Sequence, residues 1–307
     1  MKTEQFTLEG FGGQLLPAYL WLPEGEVKCV LQITHGMTEH MGRYQRFAED
    51  LTRQGIAVAG FDLRGHGRNG GDPQVASLGQ GGWAASIADM RLFFRLLSQR
   101  FAQLPHYMLG FSLGSFLLRE YLQTDSTGVA GAIIVGTGHQ PAWLLSLMMG
   151  IVKGQIQKSG FDGTTDLVRR LSFGTYNQAC QPNRTDADWL CSDAGELDAY
   201  LADPLVRRDI SAGLFWELLG AMKRTAGVDA YTTWNKDLPV LLLYGREDPV
   251  GDGGKGVQRV YDRMQKAGMR QVDFLGVLGA RHDVFHEETS GAAEMVRHEI
   301  ADWLAYT

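Results

Sequence analysis

Short, almost uninterrupted apolar runs recur along the chain and limit its fold more than any other feature does. An alternating pattern at 5–10 and 16–23 predicts an opening hairpin. The apolar runs that follow lie at 28–34, 56–62, 106–111, 131–136, 239–245 and 271–277. The helical patterns between them lie at 43–54, 83–103, 112–123, 254–267 and 289–305. Strands that are apolar on both faces are typical of a sheet covered by helices on both sides. We therefore predict an α/β fold with a mostly parallel, eight-stranded sheet.

One interval between the predicted strands is far longer than the others. From 136 to 238 the sequence has helical patterns, is rich in Met and aromatic residues, and contains no clear strand. Crossovers in such sheets are usually much shorter. We predict that 139–234 is an inserted helical cap, and that 1–138 and 235–307 are the two parts of the core.

A serine lies at the point where a predicted strand must turn abruptly into a helix. The strand at 106–111 ends in Gly110-Phe111-Ser112-Leu113-Gly114, and a helical pattern follows at once. Side chains at the two glycine positions would clash with the neighbouring helix and strand. A strained turn of this kind exposes the serine hydroxyl as a nucleophile. The alternative is an ordinary turn in which Ser112 caps the helix.

A serine nucleophile needs a base, and the base needs an acid that orients it. In this architecture both are expected on loops after later strands. The stretch "YGREDPVGDGG" places Asp248 three residues beyond the glycine that closes the strand at 239–245. Glu247 and Asp252 are rivals, and an Asp-Pro turn without chemistry is the other interpretation. We predict Asp248 as the acid.

The base is predicted in the loop after the last strand, which reads "GARHDVFHE". His282 follows that strand directly and would reach the same edge of the sheet. His286 is the rival, but we expect it to begin the final helix and to face solvent. Serine, aspartate and histidine then occur in the expected order, each after its own strand.

The oxyanion of an acyl-transfer intermediate needs hydrogen-bond donors. We predict the backbone N–H of Leu113 and that of Met37, which lies in the loop "THGMTEHMGRY" after the strand at 28–34. His35 and His40 with Glu39 between them could also be read as a metal site. They form a weak ligand set on an irregular loop, so we predict no metal.

Composition restricts the partners and the compartment. Net charge is −6, from 29 basic and 35 acidic residues, and no basic run suggests a nucleic-acid partner. Three cysteines without C-x-x-C spacing favour a reducing compartment. The first residues lack the pattern of a signal peptide, and the apolar stretch at 141–152 is shorter than the roughly 20 residues that span a bilayer. We predict a cytoplasmic protein.

Five stretches together resemble the landmarks of a known superfamily. They are "HGMTEHMGRY", "FDLRGHGRN", "GFSLG", "YGREDPVG" and "GARHDVFHE", and the superfamily is that of the α/β-hydrolases. The resemblance is strongest to the monoacylglycerol lipase and lysophospholipase-like branch, which is grouped with serine aminopeptidases. The resemblance runs from about residue 5 to the end and is looser in the cap. It implies Ser112, Asp248 and His282 as triad and Met37 with Leu113 as oxyanion donors. It also implies ester hydrolysis through an acyl-enzyme, without a cofactor.

The sequence departs from the family pattern beside the nucleophile. The family elbow is commonly G-H-S-M-G-G, whereas Phe111 replaces the histidine and Ser115 the last glycine. Thr38 stands where the oxyanion loop usually has glycine, and Asn69 where serine is frequent. We therefore count Phe111 and Thr38 among the substrate-binding candidates.

The apolar stretch at 141–152 is a candidate wall for an acyl tunnel. Met148 and Met149 suit irregular apolar ligands, and Trp143 is placed at the mouth. Packing of this helix on the sheet is an equal alternative. Transient contact with a membrane surface and a homodimer, both through the cap, are further possible associations.

The predicted function is hydrolysis of an ester with a medium or long acyl chain, with monoacylglycerol or lysophospholipid as leading substrates of lipid metabolism. The alternatives are a short-chain carboxylesterase, an aminopeptidase and a binding protein without catalysis. An aminopeptidase would need a carboxylate that holds the substrate's amine, for which Glu196, Asp198 and Asp203 are available.

Overall fold

A central sheet organises the molecule. The computed structural model describes residues 1–307, except for the side chain of Ser172. The strands are β1 (Lys2–Glu9), β2 (Leu15–Leu22), β3 (Cys29–Thr34), β4 (Ile56–Phe61), β5 (Val75–Ala76), β6 (His106–Phe111), β7 (Val129–Val135), β8 (Asp209–Ile210), β9 (Val240–Gly245) and β10 (Val272–Val277). Eight of them form one sheet in the order β1-β2-β4-β3-β6-β7-β9-β10. The sheet is parallel from β4 to β10, and β2 is antiparallel to both β1 and β4. The predicted α/β fold with eight strands is confirmed.

Helices cover both faces of this sheet. The described helices, including those of the interval between β7 and β9, are α1 (Gln45–Arg53), α2 (Gly82–Arg100), α3 (Leu113–Thr124), α4 (Ala142–Ser159), α5 (Asp166–Ser172), α6 (Ala194–Ala202), α7 (Ala212–Arg224), α8 (Lys255–Lys266) and α9 (Ala292–Tyr306). In the part of the chain that the structure describes, no helix has the length and apolar character needed to cross a bilayer.

Alternate residues of the central strands enter two separate apolar cores, as the two-residue period of a strand requires. In β6, Met108 packs in the core that holds α2, α3 and α8. Its neighbour Leu109 packs in the opposite core, with α1 and α9. Burial on both faces explains why the central strands read as continuous apolar runs.

The long interval between β7 and β9 contains α4 to α7. The expectation that it holds no strand is wrong at one short place, because β8 pairs in parallel with β5. The amide of Asp209 donates to the carbonyl of Gln74 and that of Ser211 to the carbonyl of Ala76, both over 2.9 Å. Two residues are too few to show an alternating pattern. The cap boundaries at 139–234 stay a prediction.

Candidate active site

Ser112 occupies a strained turn between β6 and α3. Its φ is +51°, a conformation that residues with a side chain rarely adopt. A Cβ on Gly110 would lie 2.4 Å from the carbonyl oxygen of Gly114, and one on Gly114 would lie 2.1 Å from that of Thr34. Only glycine therefore permits this approach of strand and helix. Within the described chain, the Ser112 hydroxyl makes no capping hydrogen bond to α3, which removes the interpretation as an ordinary cap.

The side chains of Ser112, His282 and Asp248 form one chain of hydrogen bonds. His282 Nε2 lies 2.9 Å from Ser112 Oγ, and His282 Nδ1 lies 2.9 Å from Asp248 Oδ2. The second carboxylate oxygen of Asp248 accepts from the amide of Val250 over 2.8 Å. This arrangement allows the imidazole to take a proton from the serine while the carboxylate holds its orientation.

The rival carboxylates lie elsewhere. Glu247 is exposed, and Asp252 faces solvent beside Lys255, 4.0 Å away. Asp248 by contrast is fully buried. It is therefore Asp248, among the three residues weighed for the acid, that reaches the imidazole.

Aromatic rings enclose the His282 imidazole. The ring of Phe111 lies 5.1 Å away and that of Trp189 5.3 Å away, centroid to centroid. Burial is the largest single effect and opposes the charged imidazolium, but the charge and hydrogen bond of Asp248 together with the charges of Asp283 and Glu39 outweigh it, and the pKa of His282 is raised above its usual range. Phe111 thus packs against the imidazole, in the position where the family elbow commonly has histidine.

His286 does not lie where the sequence predicted. It belongs to a turn before α9, and its side chain is mostly buried. Its Nδ1 lies 2.9 Å from Asp283 Oδ2. Arg43 joins the same group, with 2.7 Å to Asp283 and 3.2 Å to Glu39. Burial opposes the charge on His286, yet Asp283 raises its pKa. The expectation of a solvent-facing residue at a helix start is wrong because a buried arginine and two carboxylates hold this turn against the core.

The loop after β3 passes beside Ser112. Its first turn is closed by Glu39, which accepts a hydrogen bond from the amide of Gly36 over 2.6 Å and one from the hydroxyl of Tyr44 over 2.8 Å. His35 is bonded at both nitrogens, to the carbonyl of Gly36 and from the amide of Leu63. A group of side chains suited to a metal ion is not found among the described residues.

An apolar cavity of about 230 Å³ opens beside Ser112. Met37, Leu113 and His282 also line it, so the predicted oxyanion donors belong to the same space. Met148 on α4 lines this cavity as predicted. Met149 does not; it packs towards Gly220 on α7. Trp143 is 70% exposed and also lies outside the cavity.

A second space of about 30 Å³ adjoins Ser112 on the side of the loop after β3. Thr38 and Phe111 line it, together with Glu39, Tyr200 and Asp283 among others. Of the residues that depart from the family pattern, the two substrate-binding candidates Thr38 and Phe111 therefore border the small space and not the larger apolar one.

The sequence analysis missed an aromatic cluster over the site. The ring of Trp189 lies 5.9 Å from Phe173 and 5.2 Å from Tyr176, and all three residues line the larger cavity. Aromatic residues close together at 173–189, where no regular helical pattern explains them, were the available signal.

The carboxylates considered for binding an amine have other partners. Asp198 pairs with Arg184 at 2.7 Å, and Asp203 lies 2.9 Å from His40 Nε2. Glu196 lies 3.7 Å from Arg46. All three are absent from the described lining of both cavities.

The fold and this site define the class of protein. It is an α/β-hydrolase of the ester hydrolase class. The family model described as serine aminopeptidase S33 (Hydrolase_4) matches residues 25–289, and the chain belongs to this family.

Known proteins with similar sequence and structure agree with this assignment. The chain is 26% identical to the monoglyceride lipase of Rattus norvegicus over 295 residues, which are 96% of this chain and 88% of the rat protein. It is 24% identical to the monoacylglycerol lipase of Mycolicibacterium smegmatis over 311 residues, 98% of this chain and 96% of that one. The predicted relationship to the monoacylglycerol lipase branch is confirmed. The crystal structure of a thermostable carboxyl esterase from Bacillus coagulans in complex with glycerol shares the fold, with a TM-score of 0.87 at 21% identity over 99% of this chain and 98% of that one.

Proposed function

We propose that the protein hydrolyses monoacylglycerols with a medium or long acyl chain, through an acyl-enzyme on Ser112. The observation that carries this proposal is the position of the hydrogen-bonded serine. Its hydroxyl lies 2.9 Å from His282 Nε2, at the wall of an apolar cavity large enough for part of an acyl chain. The names of the relatives add the substrate class.

In the proposed reaction, Ser112 Oγ attacks the ester carbonyl while His282 Nε2 takes the hydroxyl proton. Asp248 holds the imidazole through Nδ1 and stabilises the imidazolium. The N–H groups of Met37 and Leu113 bind the oxyanion. Collapse transfers the proton to the leaving alcohol and yields the acyl ester of Ser112. Water, deprotonated by His282, then attacks the acyl carbonyl, and the proton returns from His282 to Ser112 Oγ as the fatty acid leaves.

The charges around the site favour glycerol over a phosphate-bearing alcohol. The residues described as lining the two cavities include the acidic Glu39 and Asp283 but neither lysine nor arginine. A lysophospholipid would bring a phosphate to cavity walls that offer it no cation, because Arg43 behind Glu39 and Asp283 is already paired with these two carboxylates. We therefore rank monoacylglycerol above lysophospholipid.

Helix α4 supports a proposed contact with the lipid surface from which such a substrate comes. Its inner face borders the acyl cavity through Leu145 and Met148. Its outer face exposes Trp143, Leu147 and Ile151, spaced four residues apart, by 70%, 57% and 40%. One helix thus has an apolar side towards the site and another towards solvent. The homodimer and the cytoplasmic location stay predictions.

Substrate profiling tests the function. We would measure hydrolysis of monoacylglycerols and lysophosphatidylcholines with matched acyl chains, of p-nitrophenyl esters from acetate to palmitate, and of aminoacyl p-nitroanilides. We expect monoacylglycerols with eight or more carbons to be cleaved fastest, and Ser112→Ala to abolish turnover. Faster release from lysophosphatidylcholine, from acetate esters or from the anilides would replace the proposed substrate by the corresponding alternative.

A further inference from the structure

The loop after β3 contains a second strained residue besides the serine. Thr38 has a φ of +69°, which is an outlier for a β-branched side chain. Such a conformation persists only where surrounding contacts hold it, and it is often found at active sites. Thr38 directly follows Met37, whose N–H is the proposed oxyanion donor. The position of this donor therefore depends on what keeps Thr38 in place.

The contacts that hold Thr38 come from the last turns of α6 and from the connection between α6 and β8. The hydroxyl of Tyr200 lies 2.8 Å from Thr38 Oγ1, and the amide of Arg207 donates to the Thr38 carbonyl over 2.8 Å. The Thr38 hydroxyl donates its own proton to the carbonyl of Met37 over 2.5 Å. Since Thr38 has a single hydroxyl proton, Tyr200 is the donor in the first of these hydrogen bonds.

A hydrogen bond between His40 and Asp203 fixes the other end of the loop to the same connection. His40 Nδ1 accepts from the amide of Gly42, so its proton is on Nε2, which lies 2.9 Å from Asp203 Oδ2. The other oxygen of Asp203 accepts from the amide of Leu205 over 2.8 Å. Both carboxylate oxygens therefore accept hydrogen bonds, and an amide in place of the carboxylate would turn a donor towards one of the two N–H groups.

The connection itself is anchored in the core, so it can serve as a rigid support. The buried guanidinium of Arg207 donates to the carbonyls of Gly67 and Gly70 over 2.9 and 3.2 Å. Directly after it, β8 pairs with β5.

We propose that Tyr200 and Asp203 are positioning residues for the oxyanion loop: they hold Thr38 and His40, and through them the N–H of Met37. The inference rests on the proposed function, because it takes Met37 as an oxyanion donor. According to this inference, the segment between β7 and β9 contributes to transition-state stabilisation as well as to acyl binding. The need for such a clamp comes from threonine at a position where glycine would adopt a positive φ freely.

Matched substitutions test the proposal on p-nitrophenyl octanoate. Tyr200→Phe removes the hydroxyl, and Tyr231→Phe is its control, because that buried hydroxyl binds Arg119 away from the site. Asp203→Asn removes the carboxylate, and Asp198→Asn, on the helix that ends just before Asp203, is its control. We expect kcat to fall about 10- to 100-fold in the two test variants with KM nearly unchanged, since one oxyanion donor contributes about 10²–10³ in kcat. The two controls should stay near wild type.

The inhibition constant of octyl trifluoromethyl ketone separates positioning from a general loss of structure. This ketone forms a tetrahedral oxyanion with the serine, so its Ki should rise by the same factor as kcat/KM falls.

Tyr200 borders the small space beside Ser112, so esters of octanoic acid with glycerol, methanol and p-nitrophenol are compared as well. A positioning residue lowers all three rates alike, whereas a residue that contacts the alcohol does not.

Thr38→Gly provides the rescue experiment. Because glycine needs no clamp for a positive φ, Tyr200→Phe should cost much less kcat in the Thr38→Gly background than in the wild type. The proposal is overturned by equal losses in both backgrounds, by an effect confined to KM or to one alcohol, or by test variants that match their controls. Absence of ester turnover in the wild type would instead overturn the proposed function.

Discussion

His282 Nε2 lies 2.9 Å from Ser112 Oγ although the two residues are 170 positions apart in the chain. Their strands are not neighbours, since β7 and β9 lie between β6 and β10. The loop after β10 must therefore cross the ends of the intervening strands to bring the imidazole to the serine. It does so over Gly245, the last residue of β9.

Gly245 leaves the space for this crossing, which gives a first prediction. A Cβ at Gly245 would lie 2.0 Å from the carbonyl oxygen of Arg281 and 2.3 Å from that of Ala280. We expect Gly245→Ala to displace the loop that carries His282 and to lower kcat at least tenfold, together with the melting temperature. Gly25→Ala is the control, because a Cβ there meets no atom within 4 Å. Wild-type kcat in Gly245→Ala would show that the loop has room to move.

The pH dependence of kcat/KM should report the raised pKa of His282. Burial is the largest single effect and lowers this pKa, but the charge and hydrogen bond of Asp248 and the charges of Asp283 and Glu39 together raise it by more, so the pKa of His282 lies above its ordinary value in the folded enzyme. The base acts in its neutral form, and activity should therefore fall as the pH drops through a midpoint above 6.5.

Replacement of the acid should reverse that shift. In Asp248→Asn burial is opposed only by the weaker effects of Asp283 and Glu39, so the pKa of His282 should fall and the acid limb should move to lower pH. The plateau rate should decrease by about 10⁴ as the imidazole loses its orientation. An acid limb that stays in place in this variant would mean that another group controls it.

Acyl-chain selectivity should depend on residues of α4 that face the site. Met148→Trp adds bulk inside the cavity of about 230 Å³ and should move the optimum of the p-nitrophenyl ester series to shorter chains. Trp143→Ala changes the exposed outer side of the same helix and should leave the optimum unchanged on soluble substrates. If both variants kept the wild-type profile, the acyl chain would have to bind elsewhere.

The buried charge cluster at the turn before α9 should control stability. Arg43→Ala leaves Glu39 and Asp283 without their cation in a buried setting. Loss of one partner of a buried ion pair costs about 3–5 kcal/mol, which urea denaturation measures as the free energy of unfolding. Arg46→Ala is the control, since Arg46 is mostly exposed and such pairs contribute about 0–1 kcal/mol. Equal values for the two variants would contradict a structural role of the cluster.

Much of the fold and of the site was predictable because its signals are local. The apolar runs of the central strands, the glycines around Ser112, and the place of Ser112, Asp248 and His282 just after their own strands are all properties of short stretches. The positive φ of Ser112 is also local, since it follows from the tight turn that Gly110 and Gly114 permit.

The tertiary structure decided the contacts between residues that are far apart in the chain, because no short sequence pattern specifies such contacts. Arg43 meets Asp283 across 240 positions, and this contact buries a turn that the sequence placed in solvent. Tyr200 meets Thr38 across 162 positions. The sequence by itself determined which residue types stand at the ends of which strands, because strand and helix periods are set by neighbouring residues. Only the packing of the β7–β9 segment on the core decided which of its side chains face the serine and which face solvent, because helices apolar on several sides have no single face that the sequence can assign.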